Sequence, residues 1–179
     1  MKWEILDSEY VFRSPWITVR KDCVRMPSGV EIPDFYVSEF PDWVNVIAIT
    51  KDNFYILEEQ YRHGIQQVCL ELCAGEVKPG EDPLEAARRE LLEETGYTGG
   101  RWKHIGTYAP NASGSNNRCH SFLAENVEQV SEQQLEETED IKVHLYSEQQ
   151  VRSALEKGMI PESVMAAPLW KFFANNKNQ

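Results

Sequence analysis

Glu90, Glu93 and Glu94 stand at positions i, i+3 and i+4. On a helical wheel of about 100° per residue they share one face, within roughly 100° of arc. Leu84, Ala87 and Leu91 fall together on another face, as a stripe to be buried. Like charges at these spacings repel, so a helix that keeps them presents either a solvated acidic face or a cation site. Two neighbours favour the cation. Gly75, Pro79 and Gly80 punctuate the stretch before the helix, and glycine lets backbone carbonyls approach an ion closely. Arg89 lies four residues from both Glu85 and Glu93 and can hold both acids in place. A set of oxygen donors suits a hard cation such as Mg²⁺, which shares its ligands with substrate phosphates.

The elements that must position these groups are legible from turns and caps. Asp82 suits an N-cap, Pro83 the first helical position and Glu85 a capping box, and Gly96 a C-terminal stop, so a helix spans 82–96. Before it the chain reads as strands. Trp16 to Met26 and Glu31 to Phe40 flank a Pro27-Ser28-Gly29 turn as a hairpin. Trp43 to Thr50 is nearly all apolar, as a buried strand is. Phe54 to Gln60 and Val68 to Cys73 follow. Further strands are expected at Lys103 to Ala109, Arg118 to Glu125 and Ile141 to Tyr146, with residues 131–140 as an acidic loop. Ser147 and Gln150 form a second capping box that opens a helix to about Lys157. A last helix follows Pro161, with a kink or break expected at Pro168. The fold class is α+β or α/β, a mixed sheet with helices packed on it as an α/β/α sandwich.

The spacing of Gly75, Glu81, Arg89, Glu90, Glu93, Glu94 and Gly96 resembles the Nudix box, the signature of the Nudix hydrolases. Leu91 fills its first aliphatic position, and Tyr97 stands where a smaller aliphatic residue is usual. The resemblance implies a Nudix α/β/α sandwich over residues 1–179. Within it, 1–40 would be N-terminal strands used for dimerisation, and 41–179 a catalytic core with the box at 75–97. It implies metal ligands at Glu90, Glu93 and Glu94, with the Ala74 carbonyl as a backbone ligand. Glu81 becomes a partner behind the ligands or an occasional ligand, beside Arg89 and Gly75. Two or three Mg²⁺ ions per site are expected, with Mn²⁺ as the alternative. The implied reaction is hydrolysis of a nucleoside diphosphate linked to another moiety. Cations neutralise the phosphate oxygens and acidify a bound water, and a carboxylate takes its proton. The Glu136-Glu137-Thr138-Glu139-Asp140 stretch, alone an acidic surface loop, is similar to the catalytic-loop Glu-x-Glu of ADP-ribose pyrophosphatases. Glu137 is then the first choice of general base, and Glu139 a further metal ligand or the alternative base. Glu94 joins them as a catalytic residue.

Two other segments resemble the same branch. Glu59-Gln60-Tyr61-Arg62 matches its strand-end Gln-Tyr-Arg, and Leu70 to Gly75 its lead into the box. Arg62 would bind a substrate phosphate or ribose, or serve in a surface salt bridge. Glu71 would position a ribose hydroxyl or be a strand charge. Pro110, fourteen residues beyond Gly96 where sixteen is typical, is the candidate for the branch's substrate-side proline. The expected function is Mg²⁺-dependent hydrolysis of a nucleoside diphosphate sugar, ADP-ribose first. Other sugar nucleotides or nucleoside triphosphates are the alternatives, and a non-catalytic sugar-nucleotide sensor is a third.

Composition bounds the partners. In 179 residues, 18 Lys and Arg face 29 Asp and Glu, for a formal charge of -11. That argues against a nucleic-acid backbone as partner, which needs a basic face. No run of about 18 apolar residues exists to span a membrane. Cys23, Cys69, Cys73 and Cys119 make no zinc-type spacing, and the N-terminus lacks an apolar signal, so free thiols in the cytoplasm are expected. Trp3, Tyr10, Phe12 and Trp16 crowd the first strands and call for a partner surface, so a homodimer is expected.

Overall fold

The computed structural model describes residues 1–176 and divides into two compact units. One comprises Met1–Pro41 with Ala109–Arg118, the other Asp42–Tyr108 with Cys119 onward. The first is a three-stranded antiparallel sheet of β1 (Glu4–Arg13), β2 (Thr18–Arg25) and β3 (Glu31–Glu39), ordered β1-β2-β3. The expected β2–β3 hairpin is present. Buried Asp22 receives the Ser8 hydroxyl and two bonds from Arg20, which also pairs with Glu39. That guanidinium holds the Asp22 carboxyl below its usual range. The 109–118 segment is fastened to the end of β3, where Ser38 N–H donates to Gly114 O at 2.8 Å and Phe40 N–H to Asn116 Oδ1 at 3.1 Å. Trp3 meets Phe35 edge-on, while Tyr10, Phe12 and Trp16 are exposed.

The second unit is built on an eight-stranded mixed sheet. At its centre β4 (Trp43–Thr50) runs parallel to β10 (Cys119–Gln129) and antiparallel to β5 (Tyr55–Arg62). Outside them, β11 (Ile141–Tyr146) pairs with β5, while β9 (Arg101–Tyr108) and the short β8 (Tyr97–Thr98) pair with β10. The alternation of β4 sets the layers. Val44, Val46 and Ala48 join Ile56, Ala87, Leu91 and Phe122 under α1 (Pro83–Thr95). Ile47 and Ile49 join Leu57, Val151, Leu169 and Phe173 under α2 (Glu148–Glu156) and α3 (Ser163–Asn176). Both faces of β4 are thus covered, which is why its sequence is a continuous apolar run. This is the expected α/β/α sandwich.

Two local details depart from the sequence reading. The strand expected to end at Cys73 is two strands. β6 (Gln67–Glu71) pairs with β5, and β7 (Cys73–Glu76) pairs with β4, the switch falling at Leu72. β4 and β5 pair directly only at Ala48–Ile56 and Ile49–Tyr55, so the β6–β7 segment fills the wedge where they part. The second detail is α3, which continues through Pro168. Proline has no N–H for the carbonyl of Val164, four residues back. The fully buried Asn45 supplies the missing donor, with Nδ2 2.8 Å from that oxygen. A β4 side chain therefore completes the helix that covers it.

This substitution of donors predicts coupling between two distant residues. Asn45→Ala should cost about 2–3 kcal/mol through an unsatisfied carbonyl and a small cavity. In a Pro168→Ala background the helix regains its own N–H, and the same change should cost at least about 1 kcal/mol less. Urea unfolding of the four variants measures this, and additive effects would refute the linkage.

Candidate active site

Helix α1 is fixed at both ends. Asp82 Oδ1 accepts from Leu84 N–H at 2.9 Å and Pro83 opens the first turn. Glu85 does not close the expected capping box, because its carboxylate takes Arg88 at 2.8 Å. Gly96 ends the helix at φ +75°, and a Cβ there would lie 2.1 Å from Ser131 O, so conformation and space both require glycine.

The acidic face is organised by Arg89. It donates to both Glu81 oxygens at 2.9 Å, to Glu90 Oε1 at 2.7 Å, to Glu93 Oε2 at 3.2 Å and to Glu76 O at 3.0 Å. It does not reach Glu85, contrary to the sequence expectation. Arg89, then the Lys78 N–H, holds the Glu81 carboxyl down to about 2. Glu90 lies against Gly75, where a Cβ would fall 2.1 Å from its carboxyl carbon. Gly75 sits in a paired strand rather than a loop, and its lack of a side chain makes room for that carboxylate.

Glu94 points inward and is 5% exposed. Its Oε2 accepts the Ala74 N–H at 3.1 Å. Ligand atoms of Glu94, Glu58 and Cys73 lie within 4.8 Å of one another. Burial first, then the charges of Glu90 and Glu139, push the Glu94 carboxyl up to about 8. Burial, with Glu94 and Glu71 adding, raises Glu58 well above its usual range. Burial also raises Glu90, against the pull of Arg89. The crowded carboxylates form a donor set of hard oxygens whose mutual repulsion a divalent cation would relieve, so the residues fit one.

The acidic loop is tied to the C-terminal end of α1. Gln134 N–H donates to Glu93 O and Gln133 Nε2 to Glu94 O, both at 2.7 Å, and Gln133 also reaches Ile141 O. Glu139 accepts the Glu136 N–H at 2.8 Å, and its charge reaches both Glu90 and Glu94. Glu137 is exposed on the same turn. Arg62 and Glu71 meet each other. Arg62 Nε lies 2.8 Å from Oε1 and Nη2 2.5 Å from Oε2 of Glu71, which is itself buried. They line a cavity of about 600 Å³ with Trp43, Gly75 and Glu162. Pro110 belongs to the first unit.

The profile of the NUDIX domain matches residues 40–166. The chain belongs to the NUDIX family. A second profile, the nucleoside diphosphate sugar hydrolase N-terminal domain, matches residues 3–38 of this NUDIX chain. Among its relatives, the methanol dehydrogenase activator of Bacillus methanolicus is 31% identical over 66% of this chain and 64% of its own. The chain thus spans less than two thirds of that relative. The ADP-ribose pyrophosphatase of Bacillus subtilis is 30% identical over 75% of this chain and 73% of its own. A crystal structure of an ADP compounds hydrolase superposes with a TM-score of 0.85, covering 100% of this chain and 96% of its own at 24% identity, and so shares the fold.

Several residues of the candidate site escape a reading of the box alone. Glu58 is flagged only by a charge directly after the apolar Tyr55-Ile56-Leu57 run of β5, and it lies opposite Glu71 in register. Gln133 and Gln134 carry no local signal, and Glu162 only its place before α3, where its carbonyl accepts from Met165 and Ala166.

The Glu81–Arg89 bond sets an acid response. The Glu81 carboxyl is depressed in the folded chain, so between pH about 4.5 and 2 the unfolded chain binds the extra proton. Stability from this pair is complete above that window and is lost as pH falls through it. Glu81→Gln should remove this part of the acid limb in metal-free melts. Superimposable limbs for the two proteins would contradict the assignment.

Proposed function

We propose that the chain hydrolyses the diphosphate bond of a nucleoside diphosphate sugar in a Mg²⁺-dependent reaction, with ADP-ribose as first substrate and AMP and ribose 5-phosphate as products. The observation that carries the reading is the convergence of Glu90, Glu93 and Glu94 on one face of α1, beside Gly75 and backed by Arg89 and Glu81. The name of the Bacillus subtilis relative and the description of the N-terminal profile support the substrate class. Glu90, Glu93 and Glu94, with Glu139 and the Ala74 carbonyl, would hold two or three Mg²⁺ or Mn²⁺ ions, which supply charge neutralisation and an acidified water.

The chain's own groups do the rest. Water oxygen bonds to one phosphorus as the bridging P–O bond breaks, and a carboxylate of the acidic loop takes the proton. Glu137 is the first choice for that base. The charge of Glu139 on Glu90 and Glu94 favours a second reading, in which Glu139 takes the proton. Arg62, Glu71 and Pro110 belong to substrate binding. Residues 1–40 serve dimerisation, supported by the exposed Tyr10, Phe12 and Trp16, and 41–179 form the catalytic core. The four free cysteines support a cytoplasmic location. No helix among the described residues is long and apolar enough to cross a membrane.

AMP release measured with Mg²⁺ across ADP-ribose, other sugar nucleotides and nucleoside triphosphates should give the highest kcat/KM for ADP-ribose. Preference for a triphosphate would overturn the substrate class, and full activity in chelator the metal requirement.

The base is assigned by substitution. Glu137→Gln should lower kcat by about 10²–10⁴-fold with KM little changed. Glu94→Gln should lose activity in a way that excess Mg²⁺ partly restores. A Glu137→Gln enzyme within a few-fold of wild type, beside an inactive Glu139→Gln enzyme, transfers the role to Glu139.

A further inference from the structure

Among the described residues, the cavity beside the box strand holds one cationic side chain, Arg62, and three acidic ones, Glu71, Glu76 and Glu162. The cation is largely committed. Its Nε and Nη2 are spent on buried Glu71, and only Nη1 lacks a partner among the described residues. Glu162 is its counterpart. It is partly buried and lines the same cavity, and its carboxylate has no hydrogen bond or ion pair among the described residues. The two side chains feel each other's charge.

Glu162 is held where it is. Leu70 N–H of β6 donates to Met159 O at 3.1 Å, which pins the α2–α3 connection beside Glu71. The Glu162 carbonyl caps α3, accepting from Met165 at 3.1 Å and Ala166 at 2.9 Å. Pro161 restricts the backbone just before it. A carboxylate fixed in a partly apolar cavity without a partner is costly unless a ligand donates to it.

The charges decide what that ligand is. A phosphate would meet three carboxylates and one half-spent guanidinium, with no net attraction. A hydroxyl can accept from Arg62 Nη1 and donate to Glu162, and two adjacent hydroxyls can do both at once. We propose that Arg62 and Glu162 together read a vicinal diol of the sugar nucleotide, with Glu162 as the residue that sets specificity. This rests on the hydrolase reading for its substrate and assigns the cavity to a sugar rather than to the diphosphate. Two ribose rings can present such a diol, the nucleoside's and the terminal one.

Glu162→Gln and Glu162→Leu test the proposal in two measurements. In steady-state hydrolysis both should raise KM for ADP-ribose about 10- to 100-fold, the range for a lost hydrogen bond to a charged group, with kcat within about threefold. In chelator, calorimetric titration with ADP-ribose should show the same weakening of Kd without turnover. Glu162→Asp should recover part of it. Analogues lacking the 2′-hydroxyl on the adenosine or on the terminal ribose identify the ring. The one whose diol is read should bind wild type more weakly and be indifferent to Glu162. Because the carboxylate has no bonding partner among the described residues and is costly where it lies, neither substitution should lower Tm. KM and Kd within twofold of wild type for both variants, or equal weakening for ADP-ribose and both analogues, would overturn the proposal, as would no wild-type binding. Wild type that binds ADP-ribose without cleaving it would sink the hydrolase reading alone.

Discussion

Every N–H of the Arg89 guanidinium is used, two on Glu81 and one each on Glu90, Glu93 and the Glu76 carbonyl. Five donors in a fixed plane are what arginine offers and lysine cannot. The consequence is structural before it is chemical. Glu76 ends β7, Glu81 closes the following turn, and Glu90 and Glu93 lie one and four residues along α1. One side chain therefore fixes the strand, the turn and the acidic helix face relative to one another. Without it, like charges a single turn apart would drive their side chains outward into water.

The wedge in the sheet is the second constraint. β4 and β5 share only two residue pairs, and the chain switches partner from one to the other at Leu72. A fully paired sheet would bring their main chains together along their length and leave no opening. The switch places Cys73 and Ala74 beneath Glu94 while Glu71 stays opposite Glu58. Local disruption of the ladder, filled by four residues of β7, is what lets helix carboxylates reach the sheet.

Legibility in the sequence followed the range of the interactions. Caps and turns act over a few residues, so the limits of α1 were readable from Asp82, Pro83 and Gly96, and the α2 capping box from Ser147 and Gln150. The acidic face was readable because helical spacing is local. Partner choice was not. Arg89 was expected to hold Glu85, but Glu85 points to Arg88 and Glu81 arrives from the turn instead. Arg62 and Glu71 carry separate expectations, yet Arg62, opposite Gln67 in register, reaches back along the hairpin to Glu71. Pro168 suggested a break in α3, yet Asn45 reaches across from β4 to supply the donor. The contacts behind these misses span 8, 9 and 119 residues, separations that carry no periodic signal.

The innermost group is the point where folding and chemistry conflict most. Glu58, Cys73 and Glu94 place three ionisable ligand atoms within 4.8 Å, and Glu58 Oε1 has no hydrogen-bond partner among the described residues. Hydrophobic side chains of similar volume would pack there without that penalty. Burial drives Glu58, Cys73 and Glu94 alike toward their neutral forms, Glu94 up to about 8. The arrangement thus packs Glu94 against the other two with Glu90 near it, so each added negative charge meets another. A chain selected for stability alone would not keep such a cluster. Its retention inside an otherwise apolar layer marks this end of the sheet as the place where local rules yield to function.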